Sequence, residues 1–348
     1  MVSRGQRVLV AGAGAFGTAT ALELARGGAE VVLADPAGIG DNASGAAAGM
    51  LAPAFEALLD PTSAGHFGFL AAARDLWPDL LAGIGPQAVG LTRGGARWVV
   101  LADDPPGLAE TRQAGLAALG AGVEDAPGGG FFTPEDWRLA PSLALPALQA
   151  AARGAGARTA QASVTAFEPG RAVLSTGEAV QADALVVATG AEPAALAPEL
   201  AVLSPIKGHI LRFAPGGPLA GEATLRCRLG YATGGADGLC VGATMEAGLA
   251  DRALDPEKVE ALRRLAAALS PPLAAAPFAA LAGVRATTPD GLPLVGPSER
   301  RDVFLAAGAR RNGWLLAPLV ARMTAAYLAG RDPGPEAARL DARRFASA

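Results

Sequence analysis

The stretch GAGAFG at residues 12–17 sets three glycines in the spacing G-x-G-x-x-G, directly after the apolar run VLVA. Gly12 permits a tight turn, Gly14 leaves space for a pyrophosphate against the backbone, and Gly17 lets the next helix pack closely on the strand. Gly14, Ala15, Phe16 and Gly17 would open that helix, so its free N–H groups and the positive end of its dipole face the phosphates. Asp35 ends a second apolar run eighteen residues after Gly17, where a carboxylate accepts hydrogen bonds from both hydroxyls of an adenosine ribose and repels a 2′-phosphate. The alternative is an ordinary glycine-rich turn with a surface aspartate, but the strand before and the helix after favour a dinucleotide. The same turn serves NAD and FAD.

Arg285 stands in the otherwise apolar stretch AGVRATT. A buried guanidinium needs an anionic partner, and either a ligand carboxylate or an internal Asp or Glu would supply it. With two histidines, His66 and His209, and two cysteines, Cys227 and Cys240, no metal centre is expected. The cysteines read as lying on one hairpin that turns near Ala236-Asp237-Gly238, at unequal distances from the turn. They are therefore expected to be reduced core thiols of a cytoplasmic protein rather than a disulfide. His209, in IKGHIL, is expected to be structural. No Ser/His/Asp or Cys/His set is readable, and Glu56, Glu246 and Asp290 are not spaced as a general acid/base pair.

These residues need a scaffold, and 348 residues that are 51% hydrophobic and 18% charged can supply a large buried core. A net charge of −4 leaves no broad basic surface, which excludes nucleic acid as the expected partner. No apolar stretch of eighteen residues lacks glycine, proline and charge, so no membrane span is expected. Arg4 and Arg7 ahead of VLVAGAGAFG superficially match a secretory signal, yet the spaced glycines followed by Glu23 and Arg26 fit strand, turn and amphipathic helix better. The spacing predicts a strand over Val8–Ala11, a helix to Arg26 stopped by Gly27-Gly28, and a strand over Val31–Ala34. Helical spacing recurs between Pro61 and Ile84, where Pro78 must kink or divide the helix. ARWVVLA reads as a strand, GLAETRQAGLAALGA as a helix, PEDWRLAPSL as a loop with a short helix, and Leu145–Gly154 as a helix. A hairpin at Ser175-Thr176-Gly177 precedes a strand over Ala184–Ala188, and short antiparallel strands follow from Ile206 to Met245. A helix capped by Asp255 with Pro256 at its first position, two further strand segments and the helix WLLAPLVARMTAAYLAG close the chain. The pattern is α/β with an α+β insert: a Rossmann-like dinucleotide-binding domain at 1–82, 140–205 and 285–348, interleaved with an antiparallel-sheet substrate domain at 83–139 and 206–284.

Two later segments, ADALVVATGAEP and GLPLVGPS…VFLAAGARRNG, discriminate the cofactor, and four more specific pieces are ASGAAAGMLAP at 43–53, LCVGATM at 239–245, AGVRATTPDGLPLVG at 282–296 and RNGWLLAP at 311–318. In this order behind GAGAFG, and with the strand ADALVVATGAEP, they resemble the FAD enzymes of the D-amino-acid oxidase family, above all the glycine oxidases of thiamine biosynthesis. The likeness covers essentially the whole chain. It implies that Gly12, Gly14, Gly17 and Asp35 hold the adenosine and pyrophosphate of FAD, and that Val164 offers backbone to the adenine. It also implies that Ser44, Ala46, Ala47 and Gly49 line the ribityl and flavin side, with Gly190 packed near the cofactor. Arg311, Asn312, Gly313 and Trp314 would approach the flavin carbonyl edge by backbone, at a helix start that suits the charge of reduced flavin. Arg285 matches the arginine that takes the substrate carboxylate, and Arg311 could reach the same pocket. Tyr231 or its neighbour Gly230 matches the tyrosine beside the substrate, and Met50 would form the apolar floor or wall. The run from Ser44 to Gly49 is then small so that backbone can lie along the flavin, and Gly49→Val is expected to cost flavin binding before fold.

The sequence AGARRNG departs from the family pattern by placing Ala309 and Arg310 where an aromatic residue or histidine is usual, which leaves substrate size and charge open. The implied reaction is hydride transfer from Cα of a small amino acid, glycine or an N-substituted glycine, to flavin N5. The imino acid then gives an oxo acid and ammonia, with hydrogen peroxide from oxygen. The rivals are a D-amino-acid dehydrogenase or another amine oxidase of the same fold, an NAD-linked dehydrogenase, and a non-catalytic FAD-binding protein. The related enzymes are dimers or tetramers, which makes a homo-oligomer an expectation.

Overall fold

The first apolar run becomes an interior strand. Arg7–Ala11 pairs in parallel with Glu30–Ala34 on one side and Ala184–Val187 on the other, and Val8 to Ala11 are all buried. A strand covered on both faces reads as a continuous apolar run rather than an alternation. The computed structural model describes residues 4–191, 196–217, 219 and 223–345; the end of ADALVVATGAEP, Glu192 and Pro193, lies outside them. The sheet extends in parallel to Arg158–Ala160 at one edge and to Val303–Ala307 toward the other, where Leu294–Pro297 closes it antiparallel. Helices Ala15–Arg26, Pro141–Gly154 and Gly313–Leu328 pack on one face through Leu22, Leu145, Leu148 and Val320. The other face packs through Leu9, Leu185 and Val187 on a three-stranded antiparallel sheet, Val164–Glu168, Arg171–Leu174 and Ala179–Val180.

A second, nine-stranded sheet draws its strands from 96–133, 204–247 and 278–287, between the segments that build the first. Its spine is Ser204–Phe213 paired along its whole length with Phe278–Thr287. The sheet is not purely antiparallel, because Thr224–Arg226 runs parallel to Ala96–Trp98. Helix Pro256–Leu269, capped by Asp255 Oδ1 accepting from the N–H groups of Glu257 and Lys258, buries Leu262, Leu265, Ala266 and Leu269 against this sheet. The strand Phe278–Thr287 runs through position 285, where the sequence reading placed a domain boundary.

Several local expectations change. Pro78 divides the helical region: Phe67–Arg74 and Trp77–Leu80 are separate, with the proline in the first turn of the second, where no N–H is missed. The helix expected from Leu145 starts at Pro141, and Pro146 is carried inside it. The ARWVVLA strand is only Ala96–Trp98. Cys227 and Cys240 do not share one hairpin. Cys240 lies on the strand after the turn at 236–237, opposite Thr233, whereas Cys227 ends the preceding strand opposite Gly230. Both thiols are free and buried, and burial raises their pKa values.

Candidate active site

The turn has no room for side chains at Gly12 and Gly17. Gly12 adopts φ +102°, and a Cβ there would collide with the Ala188 carbonyl oxygen; a Cβ on Gly17 would collide with the Gly12 carbonyl oxygen. The Asp35 carboxylate accepts from the Ala13 N–H at 2.6 Å and from the Ala37 N–H at 2.8 Å, which fixes it at the mouth of the turn. Ser44 Oγ accepts from the Ala15 N–H at 2.9 Å and so ties the following loop to the helix start. Asp35 N also donates to Ala160 O, and this places the strand leading to Val164 beside the Asp35 carboxylate. Gly190 has φ +67° and open space where a Cβ would stand, two residues past Ala188. A turn closed to Cβ atoms at Gly12 and Gly17, opening helix Ala15–Arg26 and carrying a carboxylate at its lip, fits the adenosine and pyrophosphate of a dinucleotide.

The loop from Asn42 to Met50 is built by its own protein contacts. Asn42 Oδ1 accepts from the N–H groups of Ser44 and Gly45, capping the single turn Ala43–Ala46. A Cβ on Gly45 would collide with Gly40 O. Gly49, at φ +75°, abuts Leu139 O and has Pro141 Cδ 2.8 Å from the Cβ position. This revises the reason for the small residues: at Gly45 and Gly49 the neighbouring protein backbone demands them. Three carbonyls of the loop are held from behind. Arg212 Nη2 donates to Gly45 O at 2.7 Å and Ala47 O at 2.8 Å, and Arg138 Nε donates to Ala48 O at 3.2 Å. Both arginines meet the buried Asp237, at 2.5 Å from Arg138 and 3.4 Å from Arg212.

In front of the loop is a cavity of about 260 Å³ lined by Ala46, Ala47, Gly49, Met50, Tyr231, Arg285, Arg311, Asn312 and Trp314, all named from the sequence. Tyr231, rather than Gly230, presents a ring to it, and burial pushes its phenol up to about 12. Gly242 lies opposite on the next strand, and a Cβ there would stand 2.7 Å from the Tyr231 hydroxyl. Arg285 is half-buried, and its one polar contact among the described residues is the Met245 sulfur at 3.7 Å. Burial and the neighbouring Arg311 lower its pKa from the ordinary arginine value, while Tyr231 and Glu56 oppose them. Gly208 makes space for this guanidinium, since a Cβ there would overlap Arg285 Nη1. Arg311 is drawn into the cavity by Glu56, with Nε 2.9 Å from Oε2 and Nη2 donating to Oε1 at 3.0 Å. Asn312 precedes helix Gly313–Leu328, whose first turn therefore opens on the cavity. The Trp314 indole N–H donates to Ser44 O at 3.0 Å, bracing the same loop.

A family model described as FAD dependent oxidoreductase matches residues 7–327. The chain belongs to that family. A glycine oxidase of Pseudomonas aeruginosa is 30% identical over 94% of this chain and 96% of its own, and a D-amino acid dehydrogenase of Ralstonia nicotianae is 33% identical over 48% of this chain and 43% of its own. Among solved structures, glycine oxidase from Geobacillus kaustophilus superposes with a TM-score of 0.85 at 27% identity, covering 98% of this chain and 99% of that one. FAD is thus the cofactor of this oxidoreductase.

Within this FAD oxidoreductase, Arg310 turns away from the site. It pairs with the buried Asp60, so the unusual charge in AGARRNG is neutralised outside the cavity. His209 is structural: Nδ1 contacts Glu246 Oε1 at 2.9 Å and Nε2 accepts from the Asp255 N–H at 3.1 Å, which makes Nδ1 the protonated nitrogen. No group of metal-ligating side chains occurs among the described residues, and no helix among them is long and apolar enough to cross a membrane. Sequence reasoning missed Arg226 and underrated Glu56. Arg226 lies in the apolar stretch TLRC, and the argument that singled out Arg285 applies to it equally. Spacing in the sequence presents Glu56 only as half of an acid/base pair, whereas in the fold it pairs with Arg311 at 2.9 Å and, at 3.5 Å, with Arg226.

Proposed function

We infer that the protein oxidises a small amino acid, glycine or an N-substituted glycine, with Arg285 receiving the α-carboxylate. The observation that carries this reading is the Arg285 guanidinium: it lines the cavity with no carboxylate partner among the described residues, in a niche that Gly208 keeps open. A carboxylate held by a fixed guanidinium orients Cα, and orientation is the main help such a reaction needs. Tyr231, with its phenol pushed up to about 12, stays protonated at neutral pH and offers the substrate a hydrogen-bond donor rather than a base. Glu56 is committed to two arginines, so the amine must arrive neutral. Bound FAD would accept a hydride from Cα and pass the electrons to oxygen, and water would release an oxo acid and ammonia or the amine. The cofactor portion of the chain would be 1–82, 140–205 and the segment after Thr287, with the substrate portion between. The likeness to glycine oxidases supports a role in thiamine supply, and the two free, buried cysteines support a cytoplasmic location.

The test is flavin reduction without oxygen, using glycine, sarcosine and a set of D- and L-amino acids. Bleaching by an amino acid that Arg285→Ala abolishes or slows by at least about a hundredfold is expected. No bleaching by any of them, or an unaffected Arg285→Ala enzyme, would overturn the reading. Oxygen consumption in the same preparations separates an oxidase from a dehydrogenase.

A further inference from the structure

Helix Gly313–Leu328 carries Pro318 in its interior. A proline has no N–H to give, so the carbonyl four residues earlier, that of Trp314, loses its helical donor. Pro146 does the same to Ser142 within helix Pro141–Gly154, but Ser142 is exposed and water can meet its carbonyl. Trp314 is 4% exposed and has no such recourse. Its carbonyl oxygen accepts instead from the indole Nε1 of Trp77, at 3.2 Å. Trp77 is fully buried, its ring centre 6.1 Å from that of Trp314 with the planes tilted by 41°. A side chain 237 positions away in the sequence thus supplies the donor that the helix lacks.

That hydrogen bond closes a circuit. The Trp314 indole N–H donates to Ser44 O at 3.0 Å, and Ser44 Oγ accepts from the Ala15 N–H at 2.9 Å, at the start of helix Ala15–Arg26. The far end of the same helix returns to the Trp77 segment: Arg26 Nη1 donates to Leu80 O at 2.7 Å and Nη2 to Ala82 O at 2.6 Å. Two helix starts, at Ala15 beside the glycine turn and at Gly313 on the cavity, are therefore tied together by a ring of hydrogen bonds that runs through Trp77. The ring is weakest where Pro318 removes the helix's own bond. Without the indole, Trp314 O is a buried acceptor with nothing to accept, and the helix start relieves that by shifting toward water.

We propose that Trp77 is a positioning residue for FAD: its indole stands in for the amide that Pro318 lacks, and so holds the start of helix Gly313–Leu328 and the Ser44 loop in the arrangement that grips the cofactor. Trp77 does not itself line the cavity. It acts through Trp314 on how firmly FAD is held, whichever amino acid is oxidised.

The experiment follows FAD release from the loaded enzyme, by the rise in flavin fluorescence, in the unaltered protein, in Trp77→Phe, in Pro318→Ala and in the two substitutions together. Phenylalanine keeps an aromatic ring in the core but has no N–H, and alanine gives position 318 an amide that can donate to Trp314 O. Trp77→Phe is expected to release FAD about tenfold faster or more, as follows from leaving one buried acceptor unmet. Adding Pro318→Ala to it should return release to within about threefold of the unaltered enzyme. Release at the unaltered rate in Trp77→Phe, even with a lower melting temperature, makes Trp77 a packing residue and overturns the proposal. So does a Pro318→Ala substitution that shifts release by the same factor with and without Trp77, since helix propensity rather than a supplied donor is then at work. If Trp77→Phe alone does not fold, the double substitution decides: it is expected to fold and to retain FAD, and failure to do either overturns the proposal.

Discussion

Asp136 offers the sharpest test of the electrostatics behind the cavity. It is 3% exposed and accepts from the Ala54 N–H at 2.9 Å and the Phe55 N–H at 3.4 Å, at the start of the helix that carries Glu56. Burial raises its carboxyl from 3.8 to about 7, with Glu56 adding to the rise and Arg226 and the two backbone donors opposing it. The folded protein therefore holds a proton that the unfolded chain has already lost between these two pH values. Its contribution is fully present below 3.8 and is lost as pH rises toward 7, the opposite of a salt-bridged carboxylate. A shift of about three units at 1.36 kcal/mol each makes this about 4 kcal/mol, of which about 3 kcal/mol falls between pH 5 and pH 7. Asp136→Asn removes the titration and keeps the acceptor for Ala54. The melting temperature of the variant minus that of the unaltered protein should thus rise by roughly 5 °C from pH 5 to pH 8, at about 2 °C per kcal/mol. Thermal melts of both FAD-loaded proteins across that range measure it. Parallel profiles with a constant gap would refute the reasoning, because Asp136 would then be ionised in the fold at both ends.

Asp237→Asn strips two arginines of their shared buried carboxylate and should destabilise the protein by about 3–5 kcal/mol, while FAD, read by flavin fluorescence, dissociates more readily as the loop carbonyls lose their anchors. Unchanged melting and FAD affinity would show that the loop holds itself. Gly208→Ala should displace the Arg285 guanidinium and raise KM about tenfold without changing FAD affinity, since the glycine cradle belongs to the other sheet. A matching loss of FAD would contradict that division. Gly49→Val meets a φ of +75°, the Leu139 carbonyl and the Pro141 ring, so the fold itself should suffer by about 2–4 kcal/mol, and melting of FAD-free protein should fall as well. A stable variant that merely binds FAD poorly would restore the flavin-contact explanation.

Much of the scaffold was legible because its signals are local. The turn at Gly12, Gly14 and Gly17, the buried strands on either side, and the Asp255-Pro256 helix start each follow from steric freedom, capping chemistry or continuous apolarity within a few residues. The early start of the helix at Pro141 and the placing of Cys227 on a separate strand were not legible, since both depend on what the segment packs against. The same holds for the site. Arg285 could be singled out as a cation in an apolar strand, but only the cavity shows it without a carboxylate among the described residues while Arg310 pairs with Asp60. The sequence determined that a dinucleotide cradle exists and which residue types border it, because those demands are written in spacing. Tertiary structure decided which charges are neutralised and which are left over, because Glu56, Arg226 and Arg311 come from segments far apart in the chain and meet only when the two sheets are assembled.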